Sequence, residues 1–395
     1  MKARLRRRQW HEIAASSGEN ERVPSPSLDS FASDYDEARE KFLAAAAAAG
    51  ARLSSHTCPA RGPRGGALVT DAAWVGDPAA RRVLLAISGT HGVEGFCGSA
   101  FQVDWLRSGL AATLGPGTAV LFVHAINPYG FAWLRRVNED GVDLNRNYLD
   151  PLRPPPENAA YDELADALVP PRLDGEIGAE ADAFLAACRS RMGDLAFFRA
   201  VASGQFRHPR GLFYGGVAPV WSNRTLHRIL DDHLRDRDDV AAIDLHTGLG
   251  PFGYGDLISD HVPGSAGAER VRRFWGDSVS EMFKGQTAPL VADGPTPRAL
   301  MRALGHVRLT VATLEFGTYD RDSGRKALRA DHWLHAHGDP LGPEAAPIKQ
   351  ALRRQYFPDT ADWKEAVLFR AHQVARMALV GLAGGQAERG RPVAD

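Results

Sequence analysis

The chain has 395 residues, of which 44% are hydrophobic and 24% are charged, a composition typical of a soluble globular protein. Lys and Arg (47) nearly balance Asp and Glu (48), so no overall field favours nucleic acid or a membrane surface, and we expect neither as a partner. Three widely spaced cysteines without a CxxC pair argue against a disulfide framework and for a reducing, cytoplasmic location. The composition leaves the oligomeric state open.

The first segment, residues 1–29, shows no hydrophobic periodicity and ends in the Pro/Ser-rich stretch "VPSPSLDS". Its start, "MKARLRRRQW", is basic, but no apolar run follows, so we expect neither a secretory signal nor a membrane anchor. An organelle transit peptide and a disordered extension both fit these residues, and we predict a disordered extension. The next stretch, "SDYDEAREKFLAAAAAAGARL", predicts a helix with Ser33 or Asp34 as N-cap and Gly50 beyond its end.

From about residue 82 the pattern is that of an α/β protein. Four apolar runs predict strands buried on both faces of a sheet: "RVLLAIS", "TAVLFVHAI", "VAAIDLH" and "VRLTVATLEF". Amphipathic helices are predicted in "CGSAFQVDWLRSGL", "RTLHRILDDHL" and "AERVRRFWGDSVSEMF". We therefore predict one domain over residues 30–395, built on a mixed, largely parallel twisted sheet flanked by helices. Residues from about 150 to 215 are interpreted as a mostly helical insertion.

Polar side chains follow the predicted strands where each apolar run ends. His91 and Glu94 come after the first run, Asn127 after the second, His246 closes the third and Glu315 the fourth. Ligands of open α/β sheets bind outside the carboxyl ends of the strands. We therefore expect these side chains to gather at one edge of the sheet.

The first of these pairs lies in the glycine-rich stretch "SGTHGVEGFCGS". Catalytic zinc takes three protein ligands from His, Glu and Asp and keeps a fourth position open, so His91 and Glu94 with His246 form a candidate site. The glycines are expected to let the backbone turn sharply off the strand. On the residues alone, two solvated loop side chains and a buried core histidine explain the same pattern.

A second polar stretch, "LRRVNEDGVDLNRNY", follows the second predicted strand. Arginine binds carboxylates in a bidentate manner and stabilises oxyanions, which makes Arg135, Arg136 and Arg146 candidates for substrate binding. A surface loop whose arginines pair with Glu139 and Asp140 is the alternative.

Five motifs in order resemble the zinc carboxypeptidase A-like metallopeptidase superfamily, in particular a bacterial branch known as a domain of unknown function. They are "ISGTHGVEGFCGSA", "HAINPYGFAWLRRVNEDGVDLNRNY", "HPRGLFYGG", "IDLHTGLGPFG" and "TLEFGTY". The resemblance covers about residues 30–385 and implies a zinc carboxypeptidase-like fold. It also implies one Zn²⁺ per chain, with ligands His91, Glu94 and His246. Asp143 would accept the Nδ1 proton of His91 and orient its ring.

The resemblance implies the remaining roles as well. Glu315 would be the general base, which takes a proton from the attacking water and passes it to the leaving amine. Arg135 or Arg136, with Arg136 preferred, would polarise the scissile carbonyl. Asn145 and Arg146 would hold a carboxylate of the substrate.

The sequence departs from the peptidase pattern in one respect. Digestive carboxypeptidases place a mobile tyrosine some twenty residues before the catalytic glutamate, but the stretch "VADGPTPRALMRALGH" contains none. Tyr214 and Tyr319 are the nearest candidates for that role. The histidines of "RADHWLHAHGD", His332, His335 and His337, could form a second metal cluster, but no regular geometry gathers all three, and we interpret them as structural or pocket-lining.

The leading functional hypothesis is a zinc-dependent, carboxypeptidase-like hydrolase of amide bonds next to a carboxylate. An N-acyl amino acid deacylase, similar to aspartoacylase, is the alternative within enzymes and differs in pocket size. A non-catalytic binding protein on the same fold is the alternative outside enzymes. Loss of Glu315 or of a metal ligand would have favoured it, and both are present. The expected partner is accordingly a small peptide or an N-acyl amino acid.

Overall fold

The computed structural model describes residues 27–284 and 294–389, within which the chain forms eight strands and thirteen helices. The strands are β1 (Arg52–Arg61), β2 (Ala67–Gly76), β3 (Arg82–Ile87), β4 (Thr118–His124), β5 (Asp239–Phe252), β6 (Gly255–Ser259), β7 (Ser280–Glu281) and β8 (Arg308–Gly317). The helices are α1 (Tyr35–Ala48), α2 (Gly95–Arg107), α3 (Pro128–Ala132), α4 (Leu144–Asn147), α5 (Ala159–Leu168), α6 (Gly175–Met192), α7 (Asp194–Ala202), α8 (Trp221–Leu234), α9 (Ala266–Trp275), α10 (Thr296–Ala303), α11 (Arg321–Ala336), α12 (Ala345–Tyr356) and α13 (Ala361–Arg389).

All eight strands form one sheet in the order β1-β2-β4-β3-β5-β8-β6-β7. The four central strands, β4, β3, β5 and β8, run parallel, whereas β1, β2 and β6 pair in antiparallel fashion towards the edges. The predicted mixed, largely parallel sheet flanked by helices is confirmed. The β1–β2 hairpin was not anticipated, because β1 is a largely exposed edge strand of polar sequence that lacks the apolar run of a central strand.

Helices cover both faces of the sheet, which explains why the central strands are apolar on both sides. On one face α1, α2, α9 and α13 pack through side chains such as Phe42, Trp105 and Val374. On the other face α8 and α10 contribute Leu226 and Leu300. Each such fully buried side chain stabilises the fold by about 1.5–3 kcal/mol relative to its exposed state.

Three predicted helix boundaries can be compared with the structure. Of the two candidate N-caps of α1, Asp34 is the one used, since its carboxylate accepts the backbone N–H of Glu37. Gly50 follows the helix with a φ of +68°. The predicted helix "AERVRRFWGDSVSEMF" extends too far: α9 ends at Trp275, because Gly276 takes a φ of +78° that stops the helix, and β7 follows.

The segment from about 150 to 215 contains the three helices α5, α6 and α7. They form a hydrophobic cluster of their own through residues such as Leu164, Leu185 and Phe197. Leu328 of α11 and Leu352 of α12 belong to the same cluster. These helices therefore rest on α11 and α12, and the next subsection shows that they wall the candidate site.

Residues 1–26 of the predicted N-terminal extension lie outside the described residues. Residues Leu28–Ser30, at its end, form a short 3₁₀ helix, and the backbone N–H of Ser27 donates to Asp104 at 2.8 Å. All three cysteines are free, as predicted, and all are buried.

The C-terminal helix α13 includes one stretch, Ala361–Gly384, that is long and apolar enough to cross a membrane by length and composition alone. The mean hydropathy of an 18-residue window within it is 1.2, and 39% of that window is buried inside the protein. Core helices pass the same criterion, and Trp363, Val367 and Val374 of this helix are fully buried in the main core. The stretch is therefore weak evidence for a membrane span.

Candidate metal centre

The strand order creates a crevice at the centre of the sheet. The chain passes from β3 to β4 on one side and later returns to place β5 on the other side of β3. At such a switch point the connections leave in opposite directions, so a ligand can bind between the carboxyl ends of the two strands. His91 follows β3, His246 lies within β5, and Glu315 of β8 is paired with His246 in register. The sheet therefore brings these three residues together.

The loop that carries His91 and Glu94 is held by its glycines and by the Arg135–Arg136 segment. Gly89 takes a φ of +71°, and a Cβ atom on Gly92 would lie 1.9 Å from the carbonyl carbon of Gly130. The backbone N–H groups of Gly92 and Val93 donate to the carbonyls of Arg136 and Arg135 at 3.2 and 2.8 Å. Only Gly89 thus supplies the sharp turn expected of the glycines, whereas Gly92 permits close backbone packing.

Three donor atoms converge beyond this loop. His91 Nδ1 lies 2.9 Å from one oxygen of Glu94, and His246 Nδ1 lies 3.0 Å from the other. The two Nδ1 atoms are 3.2 Å apart, and all three side chains are buried. Within the described parts of the chain, this is the one group of three such residues close enough to share an ion.

The far nitrogen of each imidazole meets a buried carboxylate. His91 Nε2 lies 3.2 Å from Asp143, and His246 Nε2 lies 2.8 Å from Asp244. Asp143 therefore contacts Nε2 of His91 and not Nδ1 as expected, because Nδ1 faces Glu94 and His246. Asp244 was missed by the sequence analysis, although its position two residues before His246 on the same face of β5 is a usable signal.

This donor set fits a metal ion. The carboxylates of Asp143 and Asp244 favour the tautomer with the proton on Nε2. In neutral imidazoles of this tautomer, the Nδ1 lone pairs of His91 and His246 point at the same place, and neither nitrogen can donate to the other. Ligands about 2.0–2.1 Å from a tetrahedral zinc ion are about 3.3 Å from one another, close to the separations found here. A cation between these atoms would satisfy all three donors at once.

The carboxylates around the site favour positive charge at its centre, whether on the imidazoles or on a bound cation. Burial raises the pKa of Glu94, but His91 and His246 outweigh burial and hold the pKa below its usual range. Burial also raises the pKa of Asp143, but the positive charges of Arg136 and His91 outweigh burial, and this pKa lies well below its usual value. Burial lowers the pKa of His246, yet Asp244 and Glu94 raise it well above its usual value. Both carboxyls are therefore ionised.

Glu315 lies beside the donor set with its carboxyl group buried. One oxygen accepts the backbone N–H of Leu249 at 3.0 Å. Burial, and secondarily the negative charge of Glu94, raise the pKa of Glu315 to about 7. A carboxyl with that pKa can both accept and return a proton near neutral pH.

The structure separates the roles of the two neighbouring arginines. Arg136 lines the cavity, and its guanidinium lies 3.3 Å from Glu94 and 2.9 Å from Asp143. Burial lowers the pKa of Arg136, but Asp143 and Glu94 raise it further, so the group stays charged. Arg135 points away and pairs with buried Asp331 at 2.9 Å. Arg136 is therefore the one of the pair that can reach a substrate.

Asn145 and Arg146 line the same cavity. The side-chain oxygen of Asn145 accepts from the backbone and hydroxyl groups of Thr296 at 3.0 and 2.8 Å, which fixes its amide. Arg146 is held by the carbonyls of Asn145 and Ala202 at 2.9 and 2.7 Å. The short helix α4 thus presents an amide and a guanidinium side by side.

The cavity has a volume of about 560 Å³ and is lined by the three donor residues, Glu315, Arg136, Asn145 and Arg146. Helices α6 and α7 of the insertion contribute Arg189, Phe197 and Phe198 to its wall. Arg189 bridges to Asp322 of α11 at 3.0 Å, so the insertion and α11 are joined beside the cavity. A volume of this size suits a small-molecule ligand.

Residues 31–370 match the family described as "Protein of unknown function (DUF2817)". The chain belongs to this family. The predicted membership in a branch of unknown function is thereby confirmed. No curated protein matches the chain.

Solved structures that the chain resembles include hydrolases of several kinds. Carboxypeptidase A from Helicoverpa armigera is 15% identical, with 96% of this chain and 81% of that chain covered and a TM-score of 0.46. Thrombin activatable fibrinolysis inhibitor is 11% identical, with 90% and 77% covered and a TM-score of 0.47. Succinylglutamate desuccinylase from Chromobacterium violaceum is 13% identical, with 81% and 74% covered and a TM-score of 0.36. Similarity at this level says nothing about function. A functional proposal must therefore be argued from the site itself.

Neither of the two tyrosines suggested by the sequence, Tyr214 and Tyr319, lines the cavity. Tyr214 is buried in the hydrophobic cluster to which α8 and α10 contribute, and Tyr319 is 39% exposed beside Phe252. Tyr356, at the end of α12, is buried and lines the cavity near Gly248, where a Cβ atom would lie 3.0 Å from the tyrosine ring. No strand end or motif marked Tyr356 in the sequence, because a helix from a distant part of the chain brings it to the site.

The histidines of α11 do not gather around a common point. His332 lies 3.3 Å from the carbonyl of Arg210, and His335 lies 2.8 Å from Lys349. His337 is the C-cap of the helix. Lys349 in turn pairs with Asp331, the partner of Arg135. His335, through Lys349 and Asp331, is therefore linked to Arg135, which fits a structural role.

Proposed function

We propose that this chain is a zinc-dependent hydrolase that cleaves an amide bond next to a carboxylate. The observation that carries the proposal is the convergence of donor atoms from His91, Glu94 and His246 beside Glu315 in one cavity. Zinc held by these three residues would supply a Lewis acid, which polarises a carbonyl and makes a water acidic.

The chain's own residues would move the protons and stabilise the charge. Glu315 would take a proton from the attacking water and return it to the nitrogen of the leaving amine. Arg136, fixed by Asp143, would meet the carbonyl oxygen as it becomes negative. Such interactions accelerate the reaction because they are strongest in the transition state.

Asn145 and Arg146 would bind the carboxylate of the substrate. Thr296 occupies the oxygen of the Asn145 amide, so the NH₂ group is the donor available to a ligand. Arg146 adds a positive charge at the same wall of the cavity. Together they would orient the substrate so that its amide bond lies between Glu315 and Arg136.

The volume of the cavity, about 560 Å³, supports small substrates, either short peptides or N-acyl amino acids. Phe197 and Phe198 from the insertion add apolar surface to the cavity wall, which would suit an acyl group. This observation favours the deacylase alternative enough to test it alongside peptide hydrolysis. N-benzoylglycyl amino acids and N-acetyl amino acids of the same series would separate the two activities.

The test is the variant Glu315→Gln. It keeps the size of the side chain and should keep one zinc ion per chain, while kcat on the best substrate falls by about 10²–10⁴-fold. Glu37→Gln, the same change on α1 far from the cavity, should leave kcat unchanged. Full turnover by pure Glu315→Gln would remove Glu315 from the mechanism.

A further inference from the structure

The loop between α7 and α8 contains the motif "HPRGLFYGG", residues 208–216, and brings one residue of it, Phe213, to the cavity wall. The loop is folded around Gln205. The side-chain amide of Gln205 donates to the carbonyls of His208 and Leu212 at 2.8 and 3.3 Å. Its backbone N–H donates to the carbonyl of Phe213 at 3.1 Å. These bonds give the loop a fixed path that ends at the cavity.

Phe213 has a backbone conformation that a phenylalanine rarely adopts. Its φ is +56°, in the left-handed region that favours glycine and asparagine. A residue held in such a conformation depends on the contacts around it, and such residues cluster at functional sites. Glycine would relieve the strain but would bring no side chain. The benefit of a phenylalanine at this position must therefore come from its ring.

Two cavity-lining arginines lie over the ring of Phe213. The guanidinium carbon of Arg136 is 5.2 Å from the centre of the ring, and that of Arg146 is 5.7 Å from it. Both distances fall within the range of a cation–π interaction, about 6 Å. Two positive charges in one wall repel each other, whereas the negative face of an aromatic ring attracts each of them. The ring therefore offsets the cost of placing both arginines beside one cavity.

The other contacts of the two arginines restrain different atoms. Arg136 donates through Nε to Asp143 at 2.9 Å, and Arg146 donates to the carbonyl of Ala202 at 2.7 Å. The loop is joined to the same network, because the backbone N–H of Asp143 donates to the carbonyl of Tyr214 at 2.8 Å. Hydrogen bonds thus hold each guanidinium group at its edge, and the ring next to Tyr214 holds both from the face.

We propose that Phe213 is a positioning residue that sets the spacing between Arg136 and Arg146. The inference rests on the proposed function, in which Arg136 meets the carbonyl oxygen and Arg146 binds the carboxylate of the same substrate. A substrate reacts only when both of its groups meet their arginines together, so the spacing of the arginines is part of the catalytic geometry. The ring of Phe213 therefore contributes to the preference of the cavity for a free carboxylate.

Binding of a matched acid and amide tests this inference without turnover. The probes are N-benzoylglycyl-L-leucine and its C-terminal amide, and the protein is the zinc-loaded full-length Glu315→Gln chain. We expect this parent protein to bind the acid about 10- to 100-fold more tightly than the amide in isothermal titration calorimetry. Phe213→Leu, added to the parent, removes the ring and should weaken binding of the acid by about 5- to 30-fold while binding of the amide changes less than about twofold. Phe213→Tyr keeps the ring and should keep the preference.

Two further variants separate a positioning role from a merely structural one. Phe206→Leu is the matched control, because Phe206 lies on the same loop but packs at Gly215, where a Cβ atom would be 2.1 Å from its ring, outside the cavity lining. It should keep the full preference for the acid. Phe213→Gly removes the ring and suits a φ of +56°, so it should lose the preference as Phe213→Leu does without adding backbone strain.

The outcomes distinguish this inference from the proposed function. Equal binding of acid and amide by the parent, a preference that survives in folded Phe213→Leu or Phe213→Gly, or an equal loss in Phe206→Leu would overturn the role of Phe213. Hydrolysis of N-benzoylglycyl-L-leucine by the chain with Glu315 intact tests the proposed function separately. A preference that depends on the ring, with no hydrolysis, would contradict the hydrolase and leave the positioning role of Phe213 standing.

Discussion

The contact between Asp244 and His246 gives a quantitative prediction about metal affinity. Asp244 accepts from His246 Nε2 at 2.8 Å, and both side chains are buried. The contact keeps the proton on Nε2 and leaves Nδ1 free for a metal ion. Asp244→Asn removes the charge from this acceptor and keeps the size of the side chain.

The expected magnitude follows from the burial of the pair. A charge-assisted hydrogen bond in such a site is worth about 1.5–3 kcal/mol, and every 1.4 kcal/mol is a factor of ten in affinity. Partners of metal-bound histidines typically contribute 10- to 100-fold to affinity. Both routes predict that Asp244→Asn weakens zinc binding by about 10- to 100-fold.

Competition with a chromophoric chelator would measure the zinc dissociation constant of each variant. Thr90→Val is the control, because Thr90 donates to the other oxygen of Asp244 at 2.9 Å and does not contact the imidazole. It should weaken zinc binding less than Asp244→Asn does. If a folded Asp244→Asn protein binds zinc as tightly as the wild type, the orienting role of Asp244 is refuted.

Three further predictions concern other parts of the site. Burial raises the pKa of Glu315 to about 7, so its proton is lost as pH rises and kcat/KM should increase between about pH 6 and 8 in a pH–rate profile. Arg146→Met should raise KM for substrates with a free carboxylate but not for their amides, as steady-state assays would show. Asp331→Ala leaves Arg135 and Lys349 buried without their carboxylate, so denaturant unfolding should show a loss of about 3–5 kcal/mol. An unchanged unfolding midpoint would contradict that last prediction.

The sequence was informative where side chains follow strongly apolar strands. His91, His246 and Glu315 could be collected because buried parallel strands are recognisable as continuous apolar runs, and their carboxyl ends must meet at one edge. The polar edge strand β1 carries no such run, and it was missed together with its partner β2.

Other features depend on the three-dimensional path of the chain. Asp331, on a distant helix, binds Arg135 and leaves Arg136 to line the cavity. Tyr356 reaches the cavity from a segment whose local pattern shows no site. Sequence spacing cannot reveal such contacts, because they are decided by how helices pack on the sheet.

The most direct test of the account is the zinc content of the purified full-length chain, measured by mass spectrometry of the metal alongside His246→Ala. The account predicts about one zinc ion per chain in the wild type and its loss in the variant. A wild type that takes up no zinc from a zinc-containing buffer, or a folded variant that retains a full equivalent, would contradict the metal centre of His91, Glu94 and His246.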